Sequence, residues 1–167
     1  VIGNPIDHSL SPRLHNYWFK ENNIDAVYEK KQVKEIDIEG IISEMRNGKI
    51  DGINVTVPFK KLIIPFLDKL DFSAEETQSV NTLFKINNKI VGYNTDRNGF
   101  WDTIKNFYPT TKDLRKPPPL EGKRIFILGA GGVTSSIISA LKNGGANNII
   151  LSNRTKEKAN ELKKLFP

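Results

Sequence analysis

The pattern of hydrophobic and polar positions predicts alternating strands and helices over the first two thirds of the chain. Strands are expected at 1–3, 25–33, 50–57, 80–86 and 89–94, where apolar residues form short runs or alternate with polar ones. The last two stretches flank Asn87 and Asn88. Because asparagine tolerates positive φ, this pair predicts a tight hairpin.

Helices are expected between these strands, at 11–21, 36–45 and 96–106, with shorter helical pieces across 61–78. Ser11 and Pro12 begin the first helix as its N-cap and its first helical residue. The second helix carries one apolar stripe and ends near Gly48. The stripe consists of Ile36, Ile38, Ile41, Ile42 and Met45.

The hydrophobic pattern changes between Phe107 and Gly122, where apolar residues no longer recur at a regular spacing. The three consecutive prolines at 117–119 cannot join a helix or a central strand, so this segment is interpreted as a semi-rigid connector. We therefore expect a first domain at 1–106, a linker at 107–122 and a second domain at 123–167.

The second domain begins with "RIFIL" (124–128), a continuous apolar run typical of a strand buried in a parallel sheet. A second strand is expected in "NIILSN" (148–153), and a second helix at 156–166. The helix between the two strands carries its apolar residues on one face, namely Val133, Ile137, Ile138 and Leu141. The predicted order is β-α-β-α, the first half of a Rossmann-like domain.

Composition and charge narrow the class of protein. The 167 residues are 38% hydrophobic and 26% charged, a balance typical of globular proteins, and no apolar run approaches the roughly 20 residues of a membrane-spanning helix. The absence of cysteine excludes disulfides and thiolate catalysis and fits a reducing compartment, so a cytoplasmic location is expected. The net charge of +6 is scattered, which argues against nucleic-acid binding and favours anionic small molecules.

A glycine-rich turn separates the first strand and helix of the second domain. Gly129, Gly131 and Gly132 lie where a phosphate needs close approach to the backbone and the N–H groups of a helix start, so the turn predicts a dinucleotide site. A tight turn that merely requires glycine is the alternative. Thr134 replaces the third glycine of the usual pattern, and a wider spacing of helix and strand is expected.

The end of the next strand bears on the choice of cofactor. Enzymes that use NAD usually present a carboxylate to the ribose here, whereas this chain has Asn153, Arg154 and Thr155, with Lys158 one turn later. A guanidinium forms a charge-assisted pair with a 2′-phosphate, so the sequence favours NADP. An ordinary surface arginine is the alternative interpretation.

Polar side chains at element ends of the first domain are candidates for substrate binding and proton transfer. They are Ser9 and Ser11 in "GNPIDHSLSP", Thr56 and Lys60 in "NVTVPFK", Asn81 in "VNT" and Asp96 in "YNTD". Lys60 follows Pro58, which fixes φ and ends the strand, so the lysine is expected to leave the sheet edge at a set angle. A solvated surface lysine is the alternative.

Histidines and aromatic residues are assigned structural roles. We interpret His8 and His15 as hydrogen-bonding braces of the loop around Ser9, and we expect no metal site. The larger aromatic residues, Tyr17, Trp18, Phe19 and Trp101, are expected in the core or in domain packing.

The motifs together resemble the shikimate dehydrogenase family. The chain carries "GNPIxHSxSPxxH", "GxNVTVPFK", "VNT", "NTD", "GAGG" and "NRT" in the order and spacing of that family, from residue 1 to the end. The resemblance implies an α/β substrate domain with a mixed sheet and a Rossmann-like NADP-binding domain. It also implies NADPH-dependent reduction of 3-dehydroshikimate to shikimate, a step of aromatic amino-acid and chorismate biosynthesis.

The resemblance also implies roles for individual residues. Lys60 and Asp96 match the catalytic pair, with Lys60 donating a proton and Asp96 orienting the same hydroxyl. The carboxylate of the substrate would be held by Ser9 and Ser11, and its ring oxygens by Thr56, Asn81 and Asp96. The cofactor would be held by Gly129, Ala130, Gly131, Gly132, Val133, Asn153, Arg154, Thr155 and Lys158.

Departures from the family pattern leave alternatives open. Ser79 and Arg97 stand where the family commonly has glycine. If Arg97 paired with Asp96, it would alter how the substrate is held. A relaxed specificity for shikimate and quinate is therefore one alternative. A non-catalytic relative that binds a polyol carboxylate is another. The chain stops inside the cofactor domain, so residues 1–167 alone are expected to be inactive. A homodimer is left open, and neither nucleic acid nor membrane is expected as a partner.

Overall fold

Residues 1–108 and 118–167 are described by the computed structural model, which divides into two compact units. Unit 1 comprises Val1–Asp71 and Val80–Tyr93, and unit 2 comprises Phe72–Ser79 and Asn94–Pro167. Most of the expected linker lies outside the described residues, and the domain boundaries at 106 and 123 stay a prediction. Within the described residues, no helix combines the length and the apolar character needed to cross a bilayer.

Unit 1 is a mixed α/β unit. Its strands are β1 (Ile2–Gly3), β2 (Lys31–Gln32), β3 (Gly52–Asn54), β4 (Lys69–Leu70), β5 (Thr82–Ile86) and β6 (Lys89–Tyr93). Its helices are α1 (Ser11–Glu21), α2 (Ile38–Arg46) and α3 (Phe59–Leu62), with 3-10 turns at Glu35–Asp37 and Ile64–Phe66. Strands β3, β5, β6 and β4 form one sheet in that order, and β1 pairs with β2 in parallel. A parallel bridge between Ile2 and Val55 joins the two sheets.

The core of unit 1 is built from α2 and the strand residues. The buried face of α2 contains Ile38, Ile41, Ile42 and Met45. Side chains of the other elements, such as Phe59, Ile63 and Leu83, are also buried. Burying each of these large side chains contributes about 1.5–3 kcal/mol. The hydrophobic period that predicts α2 therefore also predicts which face of the helix is buried.

The described residues of unit 2 form four helices and a parallel strand pair. Its elements are α4 (Phe72–Thr77), α5 (Asp96–Ile104), β7 (Arg124–Leu128), α6 (Thr134–Asn143), β8 (Asn148–Ser152) and α7 (Lys156–Leu165). Strands β7 and β8 pair in parallel from Arg124 opposite Asn148 to Leu128 opposite Ser152. Leu120, Leu141 and Ala146 form a buried cluster that Trp101 and Ile104 of α5 cover. The predicted β-α-β-α order of this region is confirmed.

Several local predictions are confirmed and others need correction. The hairpin of β5 and β6 turns at Asn87 and Asn88, whose φ angles are 47° and 65°. Helix α1 has its predicted bounds, but Leu10 is its N-cap residue and Ser11 is its first helical residue. Ile36 does not belong to the stripe of α2 because it lies in a 3-10 turn and is 85% exposed.

Strand lengths and strand burial also differ from expectation. Within the part of the chain that the structure describes, the predicted strand at 25–33 is reduced to Lys31–Gln32, which pairs with β1. The short strand β4 was not predicted. The apolar run of β7 is exposed on one face, with Phe126 at 59% and Leu128 at 78% exposure. The expectation of a fully buried strand is therefore wrong for this chain, since the described residues cover only one face of the β7–β8 pair.

Candidate active site and nucleotide-binding loop

Backbone hydrogen bonds bring Thr56, Lys60 and Asn81 together in unit 1. The N–H of Val55 donates to the carbonyl oxygen of Asn81 at 2.8 Å, and the N–H of Val80 donates to that of Lys60 at the same distance. The segment from Val55 to Lys60 therefore runs beside residues 80 and 81. Three predicted site residues from two separate motifs become neighbours through these two bonds.

The lysine is held by the short helix in which it lies. Phe59, the first residue of α3, is 2% exposed and anchors the turn in the core. The N–H of Phe59 donates to the carbonyl oxygen of Thr56 at 2.9 Å, which closes the turn around Pro58. The side chain of Lys60 is half-buried rather than fully solvated, so its position is set by the strand, the turn and the helix together.

The loop that carries the two serines lies against the same turn. The N–H of Asn4 donates to the carbonyl oxygen of Val57 at 3.0 Å, and the N–H of Ser9 donates to that of Ile6 at 3.0 Å. The backbone N–H of Ser11 donates to the Oγ of Ser9 at 3.3 Å. Because this Oγ accepts from the backbone, the proton of the Ser9 hydroxyl can be donated to an anionic ligand.

Gly3 is packed so closely against Thr56 that we expect Gly3→Ala to destabilise the protein. A Cβ atom at Gly3 would lie 2.5 Å from Cγ2 of Thr56 and 2.9 Å from Cδ1 of Ile6. Overpacking of this kind typically lowers the free energy of unfolding by about 1–3 kcal/mol. Urea denaturation measures the change.

Gly40→Ala is the matched control for this substitution. Gly40 lies in α2 and is exposed, and a Cβ atom there would meet nothing within 4 Å. Removal of a helical glycine is expected to raise the free energy of unfolding by about 0.5–1 kcal/mol. Equal stability of the Gly3→Ala variant and the unmodified protein would show that the Gly3 site can relax.

A hydrogen-bond network behind the site was missed by the sequence reasoning. The hydroxyl of Tyr28 donates to Oδ1 of Asn54 at 2.6 Å, and Nδ2 of Asn54 donates to Oγ1 of Thr82 at 3.0 Å. The hydroxyl of Thr82 in turn donates to Oδ1 of Asn81 at 3.0 Å. Asn54 and Thr82 lie in the motifs that drew attention to Thr56, Lys60 and Asn81, whereas no sequence signal marks Tyr28.

His15 is braced by ring contacts. Its ring stacks on that of Tyr28, with centroids 4.2 Å apart and planes 6° apart, and meets Trp18 edge-on at 5.3 Å. Burial lowers the pKa of His15 below its usual value, so the neutral ring is favoured. His8 is exposed. Tyr17 and Trp18 are 57% and 47% exposed, so they do not lie in the core, and a role in domain packing stays a prediction. Trp101 packs against the core of unit 2 as predicted.

Asp96 belongs to unit 2, where it is the first residue of α5. The side chain of Asn94 caps this helix start, since its Oδ1 accepts from the N–H of Asp96 at 3.0 Å and from that of Arg97 at 3.3 Å. Nδ2 of Asn94 donates to Oγ of Ser136 in α6 at 2.9 Å. The buried Asn94 side chain therefore ties Asp96 to the helix that follows the glycine loop.

The two departures from the family pattern occupy defined positions in unit 2. Nε of Arg97 lies 3.1 Å from Oε2 of Glu76 and donates to Oγ of Ser139 at 2.8 Å. The hydroxyl of Ser79 donates to the carbonyl oxygen of Gly132 at 3.4 Å. These contacts give Arg97 a role in joining α4, α5 and α6. The alternative of a relaxed specificity, which depended on a pair between Arg97 and Asp96, loses its support.

The glycine loop has the geometry of a phosphate-binding turn. Gly129 has a φ of +105°, which glycine adopts readily. Thr134 replaces the third glycine and closes the loop from inside, because its Oγ1 accepts from the N–H of Gly131 at 2.9 Å and donates to the carbonyl oxygen of Gly129 at 3.1 Å. In the part of the chain that the structure describes, the N–H groups of Gly132 and Val133 have no protein acceptor.

The end of β8 lies beside this loop. Oδ1 of Asn153 accepts from the N–H of Ala130 at 3.0 Å, and its Nδ2 donates to the carbonyl oxygen of Thr155 at 2.7 Å. Asn153 thereby links the glycine loop to the turn that carries the basic residues. Arg154 and Lys158 are exposed on this side, so they are accessible to an anionic ligand.

The two units define a class of protein. Unit 1 holds an array of hydroxyl, amide and ammonium groups at its sheet edge, and unit 2 holds a βαβ glycine loop with basic residues at the following strand end. A glycine loop at the carboxyl end of a parallel strand is the usual place for a dinucleotide. The chain is therefore an α/β protein of the nucleotide-binding class.

Comparison with known proteins defines the family. The model of the shikimate dehydrogenase substrate binding domain matches residues 1–83, and that of shikimate / quinate 5-dehydrogenase matches residues 112–167. The chain is 54% identical over 167 residues to the shikimate dehydrogenase (NADP(+)) of Pelagibacter ubique and 41% identical over 167 residues to that of Aquifex aeolicus. These matches cover 100% of this chain and 60% and 58% of the two relatives.

Solved structures agree with these matches. The crystal structure of shikimate dehydrogenase from Aquifex aeolicus has a TM-score of 0.86 at 40% identity and covers 99% of this chain and 59% of that one. The enzyme of Thermus thermophilus, in complex with NADP(H) and shikimate, has a TM-score of 0.81 at 29% identity, with 99% and 59% covered. The chain belongs to the shikimate dehydrogenase family, with a substrate domain followed by part of a Rossmann-like domain. It spans about 60% of the length of the curated relatives it matches.

Proposed function

We propose that the protein to which this chain belongs reduces 3-dehydroshikimate to shikimate with NADPH, a step of aromatic amino-acid biosynthesis. The observation that carries the proposal is the grouping of Thr56, Lys60 and Asn81 by the backbone bonds between the turn before α3 and the start of β5. The sequence identity to curated shikimate dehydrogenases supports the same reaction. A cytoplasmic location is part of the proposal, and a homodimer is left open.

The residues of unit 1 fit a polyol carboxylate. Ser9 and Ser11 are the hydroxyl donors for the carboxylate, and Thr56 and Asn81 bind ring oxygens. Lys60 donates a proton to the carbonyl oxygen as that oxygen becomes a hydroxyl, which stabilises the negative charge that develops on it. Asp96, which belongs to unit 2, is assigned to orienting a substrate hydroxyl. These roles come from the family resemblance.

The residues of unit 2 fit NADP. Gly129–Val133 would hold its pyrophosphate, since the N–H groups of Gly132 and Val133 have no acceptor among the described residues. Arg154, with Asn153, Thr155 and Lys158 around it, would hold the 2′-phosphate. When bound, the cofactor supplies the hydride for the carbonyl carbon.

A turnover assay tests the proposed function. The complete protein is expected to consume NADPH only in the presence of 3-dehydroshikimate, at a rate within the ordinary range of about 1–1000 s⁻¹. Loss of NADPH absorbance measures the reaction, and calorimetry with shikimate measures binding alone. Binding without turnover would contradict the proposed reduction and indicate a non-catalytic relative. The absence of both binding and turnover would contradict the assignment of the ligand as well.

The same assay applies to residues 1–167 alone, for which the absence of turnover stays a prediction. Turnover at about 1 s⁻¹ or above, the low end of ordinary enzymes, would contradict it.

A further inference from the structure

Asn81 is held from behind by side chains that sequence reasoning did not include. Asn54 of β3 and Thr82 of β5 are direct partners in the antiparallel register, so their side chains stand on the same face of the sheet. Tyr28 reaches Asn54 from the segment before β2, with its hydroxyl 2.6 Å from Oδ1. The chain of hydrogen bonds runs from Tyr28 through Asn54 and Thr82 to Asn81.

The direction of the first two bonds follows from which atoms can donate. The backbone carbonyl of Asn81 can only accept, so the Asn54 atom that lies 3.2 Å from it is the amide nitrogen. Oδ1 of Asn54 therefore faces Tyr28. Because a carbonyl oxygen cannot donate, the single proton of the Tyr28 hydroxyl lies in this bond.

The last bond runs from the hydroxyl of Thr82 to the oxygen of the Asn81 amide. Oγ1 of Thr82 accepts from Nδ2 of Asn54 at 3.0 Å, and its own proton is donated to Oδ1 of Asn81 at 3.0 Å. The oxygen of the Asn81 amide is thereby turned toward Thr82. The NH2 group of the same planar amide points to the other side.

We propose that Thr82, held by Asn54 and Tyr28, is a positioning residue that orients the amide of Asn81 so that its NH2 group donates to an oxygen of the substrate. The site then favours a ligand with an acceptor oxygen at this position, because a donor group of the ligand would face the NH2 group of Asn81, which is also a donor. The identity of the ligand rests on the proposed function, whereas the orientation of the amide does not.

The surroundings of Tyr28 suit a permanent donor. The side chain is half-buried, and its ring is stacked on His15. Burial raises the pKa of Tyr28, and a hydrogen bond with the side chain of Ser11 acts in the opposite direction. The hydroxyl remains protonated near neutral pH, so the bond to Asn54 persists. Because Ser11 is also proposed to hold the carboxylate, its bond to Tyr28 connects the series of hydrogen bonds to that part of the site.

Thr82→Val tests the proposal, because valine keeps the β-branched shape and removes the hydroxyl. In the complete protein we expect the KM for 3-dehydroshikimate to rise about tenfold, the usual consequence of losing one hydrogen bond, with kcat changed less than about twofold. Thr82→Ser restores the hydroxyl and is expected to restore KM. Tyr28→Phe keeps the ring and is expected to raise KM about threefold, because it acts through two further bonds.

A measurement without ligand separates this proposal from the proposed function. In 15N-labelled protein, Thr82→Val is expected to shift the side-chain NH2 signals of Asn81 and to increase their mobility, and Tyr28→Phe is expected to do the same to a smaller extent. Thr103→Val, an exposed threonine of α5, and Tyr17→Phe, an exposed tyrosine of α1, are the matched controls and should leave these signals unchanged.

The outcomes are distinguishable. Unchanged Asn81 signals in both Thr82→Val and Tyr28→Phe overturn the proposal, and so does a loss of kcat with KM unchanged. If the unmodified protein neither binds shikimate nor turns over 3-dehydroshikimate, the proposed function fails while the NH2 signals still decide the role of Thr82. If Thr82→Val does not fold, Tyr28→Phe decides by the same two measurements.

Discussion

Lys60→Ala in the complete protein is expected to lower kcat by about two orders of magnitude or more, the scale of a positioned proton donor, while substrate affinity changes far less. Alanine cannot donate a proton to the carbonyl oxygen, and no charge remains to stabilise it. The turn that carries Lys60 is anchored by buried Phe59 and by the bond from the N–H of Val80, neither of which uses the lysine side chain. The fold should therefore survive the substitution.

The neighbouring lysine provides the control. Lys61 lies in the same short helix, is exposed and carries the same charge, so Lys61→Ala is expected to keep kcat within about twofold, as is usual for surface substitutions. Steady-state kinetics and thermal unfolding of both variants separate a catalytic effect from a loss of structure. Near-normal turnover of Lys60→Ala would return this residue to the class of solvated surface lysines.

Arg154→Asp is expected to reverse or abolish the preference for NADPH over NADH. A charge-assisted bond to a phosphate contributes about 1.5–3 kcal/mol, which corresponds to roughly ten- to a hundredfold in affinity. An aspartate would in addition repel the 2′-phosphate. Asn153 holds the turn through its bonds to Ala130 and Thr155, so the geometry of the loop does not depend on the guanidinium.

The ratio of kcat/KM for the two cofactors measures this preference. Arg124→Asp makes the same change of charge at the opposite end of β7 and should leave the ratio unchanged, since Arg124 is exposed and far along the strand from the glycine loop. Equal use of both cofactors by the unmodified protein would contradict the assignment of Arg154.

Local chemistry made part of the fold predictable. The hairpin follows from two asparagines that adopt positive φ, and the bounds of α1 follow from a serine and proline that open a helix. The stripe of α2 is predictable because a period near 3.6 residues places apolar side chains on one face. Each of these features is decided within about ten residues of chain, so sequence reasoning reaches it.

The candidate site was only partly accessible to the same reasoning. Part of the site lies at the ends of elements, where a motif interrupts the hydrophobic pattern and marks the residue. This holds for Lys60, Asn81 and Arg154. Asn54 and Thr82 also stand in motifs, but their partnership depends on strand register, which no local pattern determines. Tyr28 joins them from a segment that pairs with the sheet only at Lys31–Gln32.

The sequence by itself determined the types of the longer elements, the glycine loop and the basic strand end, because these depend on backbone preference, periodicity and residue chemistry. The tertiary structure alone decided that Arg97 bonds to Glu76 and Ser139, that Ile36 is exposed and that Thr134 closes the glycine loop. The reason is physical: hydrogen bonds and burial join residues that are distant along the chain. Which partners meet depends on how whole elements pack, and that arrangement is a property of the assembled fold.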